Sequence, residues 1–151
     1  MSLEQMQQYE ASMREALSKH VAVGLLSDQV GGEIYDGGAT VMEVGAAHEY
    51  GINGQRARSF LRMPQELKQN EITAAIDKQF KAVFEQNRPV DIALGRVGAL
   101  LENITKGAFI TGGYGRWPDI AQSTKDAKGS DQILVDNGIL KGSIHSAVRD
   151  N

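Results

Sequence analysis

The 151-residue chain predicts an α+β fold, with a small antiparallel sheet packed against two long helices and with an N-terminal and a short C-terminal helix. Three observations carry this. Two long central segments repeat apolar residues at a helical period. A short segment near the start alternates apolar with small or polar residues. Gly-rich stretches separate these elements. The length is that of one typical domain, and residues 1–151 are read as one.

Leu3, Met6, Met13 and Leu17 recur at helical spacing among Glu and Gln, which predicts an amphipathic helix over residues 1–19. In "HVAVGLL", Val21, Val23 and Leu25 alternate with His20, Ala22 and Gly24, so this is a strand. "SDQVGGEIYDGG" is a Gly-rich connection, with room for a short second strand at 33–35. "ATVMEV" reads as a further strand, and "GAAHEYG" as one helical turn stopped by Gly51. Residues 51–59 read as an exposed loop. Pro64 suits the first turn of a helix, where its missing N–H costs nothing.

Ile72, Ile76, Phe80, Val83 and Phe84 then share one helical face, and "NRP" ends that helix. Asp91 is a candidate N-cap for the next. Ala93, Val97, Leu100, Leu101, Ile104 and Ala108 form its apolar face. Gly95 and Gly98 inside it each cost about 1 kcal/mol relative to Ala, which close packing of another backbone would explain. Residues 111–131 lack periodicity and, with 51–58, are the internal segments expected to be most mobile. Leu140, Ile144 and Val148 are four apart, which predicts a short last helix capped by Asp136 and Asn137 and docked on this domain.

Composition narrows the chemistry. Apolar residues make up 41% and charged residues 23%, which suits a globule with a core. The net charge of −3 gives no global basic field for nucleic acid. With no cysteine, disulfides, thiolate metal sites and a Cys nucleophile are excluded. No apolar run approaches the roughly 18 residues that a membrane helix needs. The N-terminus is polar and acidic, unlike a secretion signal, so folding in a cytoplasm is expected.

The motifs that suggest chemistry fail on spacing. "HE" at 48–49 begins a zinc-protease motif, but no second His follows one turn later. Neither "VGGEIYDGG" nor "TGGYGRW" has a phosphate-loop spacing, and there is no G-x-S-x-G elbow. No metal, cofactor or catalytic residue is assigned. Arg56, Arg58 and Arg62 cluster, with Lys125 and Lys128 further on among Asp119, Asp126 and Asp131. Trp117, in "YGRWPD", either covers the core or anchors a partner.

The order of these pieces resembles a family of phage and prophage virion-morphogenesis proteins, known as tail-completion, neck or minor tail components. The matching pieces are "VAVGLL", a Gly-rich spacer, "GATVMEVGAAHEYG", "RARSFLRMP", "LGRVGALLENITKGAFITG", and "WP" followed by "STKDAKGSDQILVDNGILKGSI". The resemblance spans about 20–148. Ser59 stands where the family has Pro, and Asn137 where it has Thr. Members often continue into terminal strands beyond the "GILKGSI" segment.

The resemblance implies a structural role at the head–tail junction, in a homo-oligomeric ring whose free subunit can be monomeric. Its partners would be other connector or tail-tube proteins, its location the virion, and its synthesis the host cytoplasm. Arg56, Arg58, Arg62, Tyr114, Arg116 and Trp117 are then the candidate assembly-contact residues, on loops positioned by rigid elements. Two other classes compete: a small hydrolase using carboxylates near Tyr114 and Trp117, and a nucleic-acid-contacting module using the Arg loop.

Overall fold

A computed structural model describes residues 1–30, 35, 37–52, 54, 56–119 and 138–151. The described elements follow one another as α1 (Leu3–Leu17), β1 (Lys19–Gly24), α2 (Val41–Tyr50), α3 (Arg62–Leu67), α4 (Gln69–Gln86), α5 (Val90–Thr111), α6 (Ile139–Gly142) and β2 (His145–Asp150). This is the expected α+β class. The longest helix, α5, is the axis: β1, β2, α4 and α3 all pack against it.

The sheet has two antiparallel strands, with Val21 opposite Val148 and Val23 opposite Ser146. Alternation places Val21 and Val148 on the face toward α5, where they pack beside Val83, Val90, Ala93 and Leu94. Lys19 ties β1 to the start of α5 through Asp91, at 2.9 Å. Glu102 ties β2 to the middle of α5, accepting from the Ser146 N–H at 3.0 Å and from its hydroxyl at 3.2 Å.

Glycine 98 lies where the sheet crosses the helix. A Cβ there would meet the Ser146 hydroxyl at 3.0 Å and Val21 at 3.3 Å, so the strands sit almost on the helix backbone. Gly95 has nothing within 4 Å of its missing Cβ, so close packing accounts for Gly98 alone. Of the expected α5 face, Ala93, Val97, Ile104 and Ala108 are buried, while Leu100 and Leu101 are half-buried. In α4 the buried apolar face is narrower than expected, since Ile76 is exposed.

Two expected elements change type. "ATVMEV" is helix, not strand. Thr40 caps α2 by accepting from the Glu43 N–H, while the Glu43 carboxylate accepts from the Thr40 N–H, which outweighs the strand propensity of Val41 and Val44. Gly51 ends α2 in the left-handed conformation, as expected. The expected last helix is only the four-residue α6, with Gly138 at its N-cap, and Val148 belongs to β2. The four-residue spacing of Leu140, Ile144 and Val148 mimicked a helix. Pairing with β1, far away in sequence, decides the outcome. Leu140 and Ile144 are nonetheless buried within the domain, as expected. Residues 33–34 of the possible strand at 33–35, the capping role of Asp136 and Asn137, Lys125, Lys128, Asp126 and Asp131 lie outside the described residues, as does most of 111–131.

Candidate functional site

The site is built around Glu49, on the last turn of α2, with a side chain only 4% exposed. Burying an unpaired carboxylate would be costly. Here both oxygens are engaged. One accepts from the backbone N–H groups of Phe60 and Leu61 at 2.8 and 3.0 Å. The other accepts from the Ser59 hydroxyl at 2.8 Å, the Arg62 N–H at 3.2 Å and the Arg62 Nε at 2.9 Å. The carboxylate thus satisfies N–H groups at the start of α3 that the helix itself leaves unpaired. Burial alone would push the Glu49 carboxyl up, but the N–H of Leu61, the Arg62 side chain and the Ser59 hydroxyl together hold it below its ordinary value of 4.5.

Ser59 extends the clamp. Its hydroxyl donates to Glu49 and accepts from the Met63 N–H at 3.0 Å. Proline, which the resembled family carries at this position, has no such hydroxyl. Phe60 follows, fully buried against Phe109, with ring centres 5.3 Å apart. The chain from 59 to 63 is therefore fixed by polar bonds on one side and aromatic packing on the other.

A second loop, 112–119, is stitched to the first. The Trp117 Nε1–H donates to the Ser59 carbonyl at 2.9 Å, and its ring meets Phe109 edge-on at 5.6 Å. Trp117 is buried, so of its two expected uses it covers the core. A Cβ on Gly113 would lie 2.2 Å from the Trp117 ring, which fits the indole only over glycine. Arg58 reaches across to the carbonyls of Pro118 and Asp119, at 3.2 and 3.3 Å. Tyr114, at φ 55, donates its hydroxyl to the Ile104 carbonyl at 2.8 Å, and the Lys68 ammonium lies 4.9 Å from its ring centre.

Of the six predicted contact residues, Arg56 and Arg58 lie on one loop and Tyr114, Arg116 and Trp117 on the other, while Arg62 opens α3 instead of lying on a loop. Arg58 and Trp117 hold the loops together, and Tyr114 holds its own loop to α5. Arg56 and Arg116 are exposed. Arg62 does both: it binds Glu49, stands 4.7 Å over the Tyr50 ring, and keeps a side chain 61% exposed. Sequence reasoning missed Glu49 and Ser59 because most of their partners are main-chain N–H groups, which leave no local pattern. The conjunction of "HEYG" with "RSF" ten residues later is the one trace. Among the described residues, no group of three His, Asp or Glu could hold a metal ion, and no helix is long and apolar enough to cross a membrane.

Beside the clamp lies an apolar groove of about 260 Å³, floored by Phe60 and Leu61 and walled by the end of β1 and the outer face of α2. Comparison with family models, with curated proteins and with solved structures finds no match to this chain.

Proposed function

We propose that the protein is a structural component of the head–tail junction of a tailed phage or prophage, a tail-completion, neck or connector part that acts in virion assembly without catalysis. It works in this reading as a ring of identical subunits meeting other connector or tail-tube proteins, and it reaches the virion after synthesis in the host cytoplasm. Two things support the reading: the ordered resemblance over about 20–148, and the way this fold uses its polar residues.

The observation that carries it is the Glu49 clamp. The acid with the greatest chemical promise has both oxygens engaged by donors from residues 59–62. A general acid or base needs a lone pair or proton facing a substrate. Tyr114 and Trp117 likewise direct their polar hydrogens to backbone carbonyls, which leaves a hydrolase centred on them little to work with. What faces outward is Arg56 and Arg116, on the two loops that Arg58 and Trp117 fasten together, which suits docking.

The test is genetic and structural together. Particles purified from the producing strain should contain the chain in a fixed ratio to tail-tube protein, by quantitative mass spectrometry. Deleting the gene should leave filled heads and separate tails in electron micrographs. Joined, infectious particles at normal titre without the gene would overturn the proposal.

A further inference from the structure

The two edges of the sheet are treated differently. In an antiparallel pair, alternate residues turn their N–H and C=O groups away from the partner strand. The Asn151 N–H donates to the Ser18 carbonyl at 2.8 Å, which fixes the alternation. With Val21 opposite Val148, the outward residues are Lys19, Val21 and Val23 on β1 and Ser146, Val148 and Asp150 on β2. The β2 edge is plugged at one end, because the Glu102 carboxylate takes the Ser146 N–H at 3.0 Å. The β1 edge has no such plug. Among the described residues, no hydrogen bond reaches the outward main-chain groups of Lys19, Val21 or Val23. Helix α1 meets β1 from the α5 side, with Ala16 beside Val21 in the cluster there.

A row of unpaired donors and acceptors, repeating about every 7 Å, is matched by the edge of another extended strand. Every copy of the chain carries the same row. Turned antiparallel about Val21, two copies of β1 match all three outward residues. Val21 faces the second copy's Val21, and each Lys19 faces the other copy's Val23. These three pairs supply about six main-chain hydrogen bonds, and sliding by two residues leaves two pairs. The side chains suit this register. Lys19 meets Val23 on the face toward α5, His20 meets Ala22 on the other, and no like charges stand opposite. Leu17, exposed like Leu3, Met6 and Met13 of α1, comes to the apolar groove end that the second copy's Val23 and Leu25 line.

We propose that the free protein dimerises edge to edge through β1, with a two-fold axis at Val21. The product is a four-stranded antiparallel sheet in the order β2–β1–β1–β2, where two strands alone are marginal. The contact uses the same patch on both partners, so it closes at two copies. Only the β2 edges, plugged by Glu102, then remain outside. The dimer belongs to the chain before assembly and does not rest on the junction reading. A chain that never dimerises can still be found in particles, and a dimer can form whether or not particles contain the chain.

The test uses the full chain. By sedimentation, wild type should pass from monomer to dimer with concentration and stop there. By NMR, the Val21 and Val23 amides should exchange at least about tenfold more slowly in the dimer than in the monomer, while those of Val148 and Asp150 stay unchanged. Val23→Pro removes one outward N–H and no bond to β2, a change that a strand edge accepts, and should weaken association at least about tenfold. The chain has no cysteine, so introduced thiols report alone. His20 and the second copy's Ala22 would have Cα atoms about 4.5 Å apart, within disulfide reach. Oxidising an equimolar mixture of His20→Cys and Ala22→Cys chains should therefore give the mixed dimer in large excess over like pairs. Four results would overturn the proposal: wild type monomeric up to about 1 mM, where even weak specific binding registers; association that leaves the Val21 and Val23 amides unprotected; mixed disulfides no more abundant than like ones; or Val148 and Asp150 protected together with Val21, which would mean β1 docked on the β2 of the next copy.

Discussion

The two ends of α5 are held differently. At its C-terminal end, Ala108 and Phe109 join Val41, Phe60, Trp117, Leu140 and Ile144 in a cluster sealed from water. Glu49 and Trp117 tie its edges with hydrogen bonds. At the N-terminal end, Val90, Ala93 and Leu94 meet Val83 and a ring of partly buried residues that includes Ala16, Phe80 and Phe84. Helix α1 lies across that end without burying one of its own residues. One end is a closed core with a polar lock. The other is a scaffold with an uncovered helix laid on it. Contacts made from four chain segments allow little independent movement, whereas α1 can be altered with little cost to the rest.

The sharpest way to break this contrast is to open the sealed end. Phe109→Ala should cost about 3–5 kcal/mol and Leu140→Ala about 2–5 kcal/mol, since both side chains are buried. Urea unfolding should show both as lowered midpoints with unchanged slope. An unchanged midpoint for Leu140→Ala would mean that α6 packs elsewhere.

The polar lock is tested next. Glu49→Ala leaves the buried Phe60 N–H and its neighbours without their acceptor, at a cost of about 1–3 kcal/mol, to which the largely exposed Arg62 adds little. Its pH dependence has a definite sign. The folded-state pKa of Glu49 lies below its ordinary 4.5. The carboxylate therefore stabilises the fold above pH 4.5, and this contribution is lost as pH falls through the lower folded value. Glu102 has the same sign: burial pushes its carboxyl up, but Lys106 and Ser146 outweigh this and hold it down. Acid titrations of stability should therefore be shallower below pH 4.5 in Glu49→Gln than in wild type. Equal slopes would remove Glu49 from the account.

Smaller effects sharpen the comparison along α5 itself. Gly95→Ala adds a methyl group into open space on a helix and should stabilise by about 1 kcal/mol. Gly98→Ala drives its methyl group into Ser146 and Val21 and should forfeit that gain. Thermal melts of the pair decide it, and equal shifts would mean that the sheet yields freely. Least of all, Met6→Ser in the free protein should change stability by less than about 0.5 kcal/mol, because the residue is exposed.

What the sequence made legible follows from range. Helices α4 and α5 and strand β1 were readable because their burial repeats within the segment. The capping signal "TVME" at 40–43 was present, but the β-branched residues beside it drew the reading toward a strand. Strand β2 could not be read locally, because Ser146 and Val148 owe their conformation to Val23 and Val21. At the candidate site, the arginines and Trp117 stood out by type. Which of them face inward depended on the carbonyls of Ser59, Pro118 and Asp119 that Trp117 and Arg58 meet, and main-chain groups are the same in every sequence. The outward mounting of α1 was equally hidden: the stripe at 3, 6, 13 and 17 was plain, but not the side on which the domain would lie.

The pairing of β1 with β2 sets a timetable for synthesis. Gly24 bonds across to His145, so at about 5–20 residues per second β1 leaves the ribosome roughly 6–25 s before its partner. During that interval Val21 and Val23 have no strand to join, while α4 and α5 emerge with the apolar surface that will later receive them. The helices can pair first, and the sheet closes last over a long loop. A nascent chain stalled before residue 145 would then present a helical pair with an unmatched strand, a form open to chaperones and proteases that the finished protein hides.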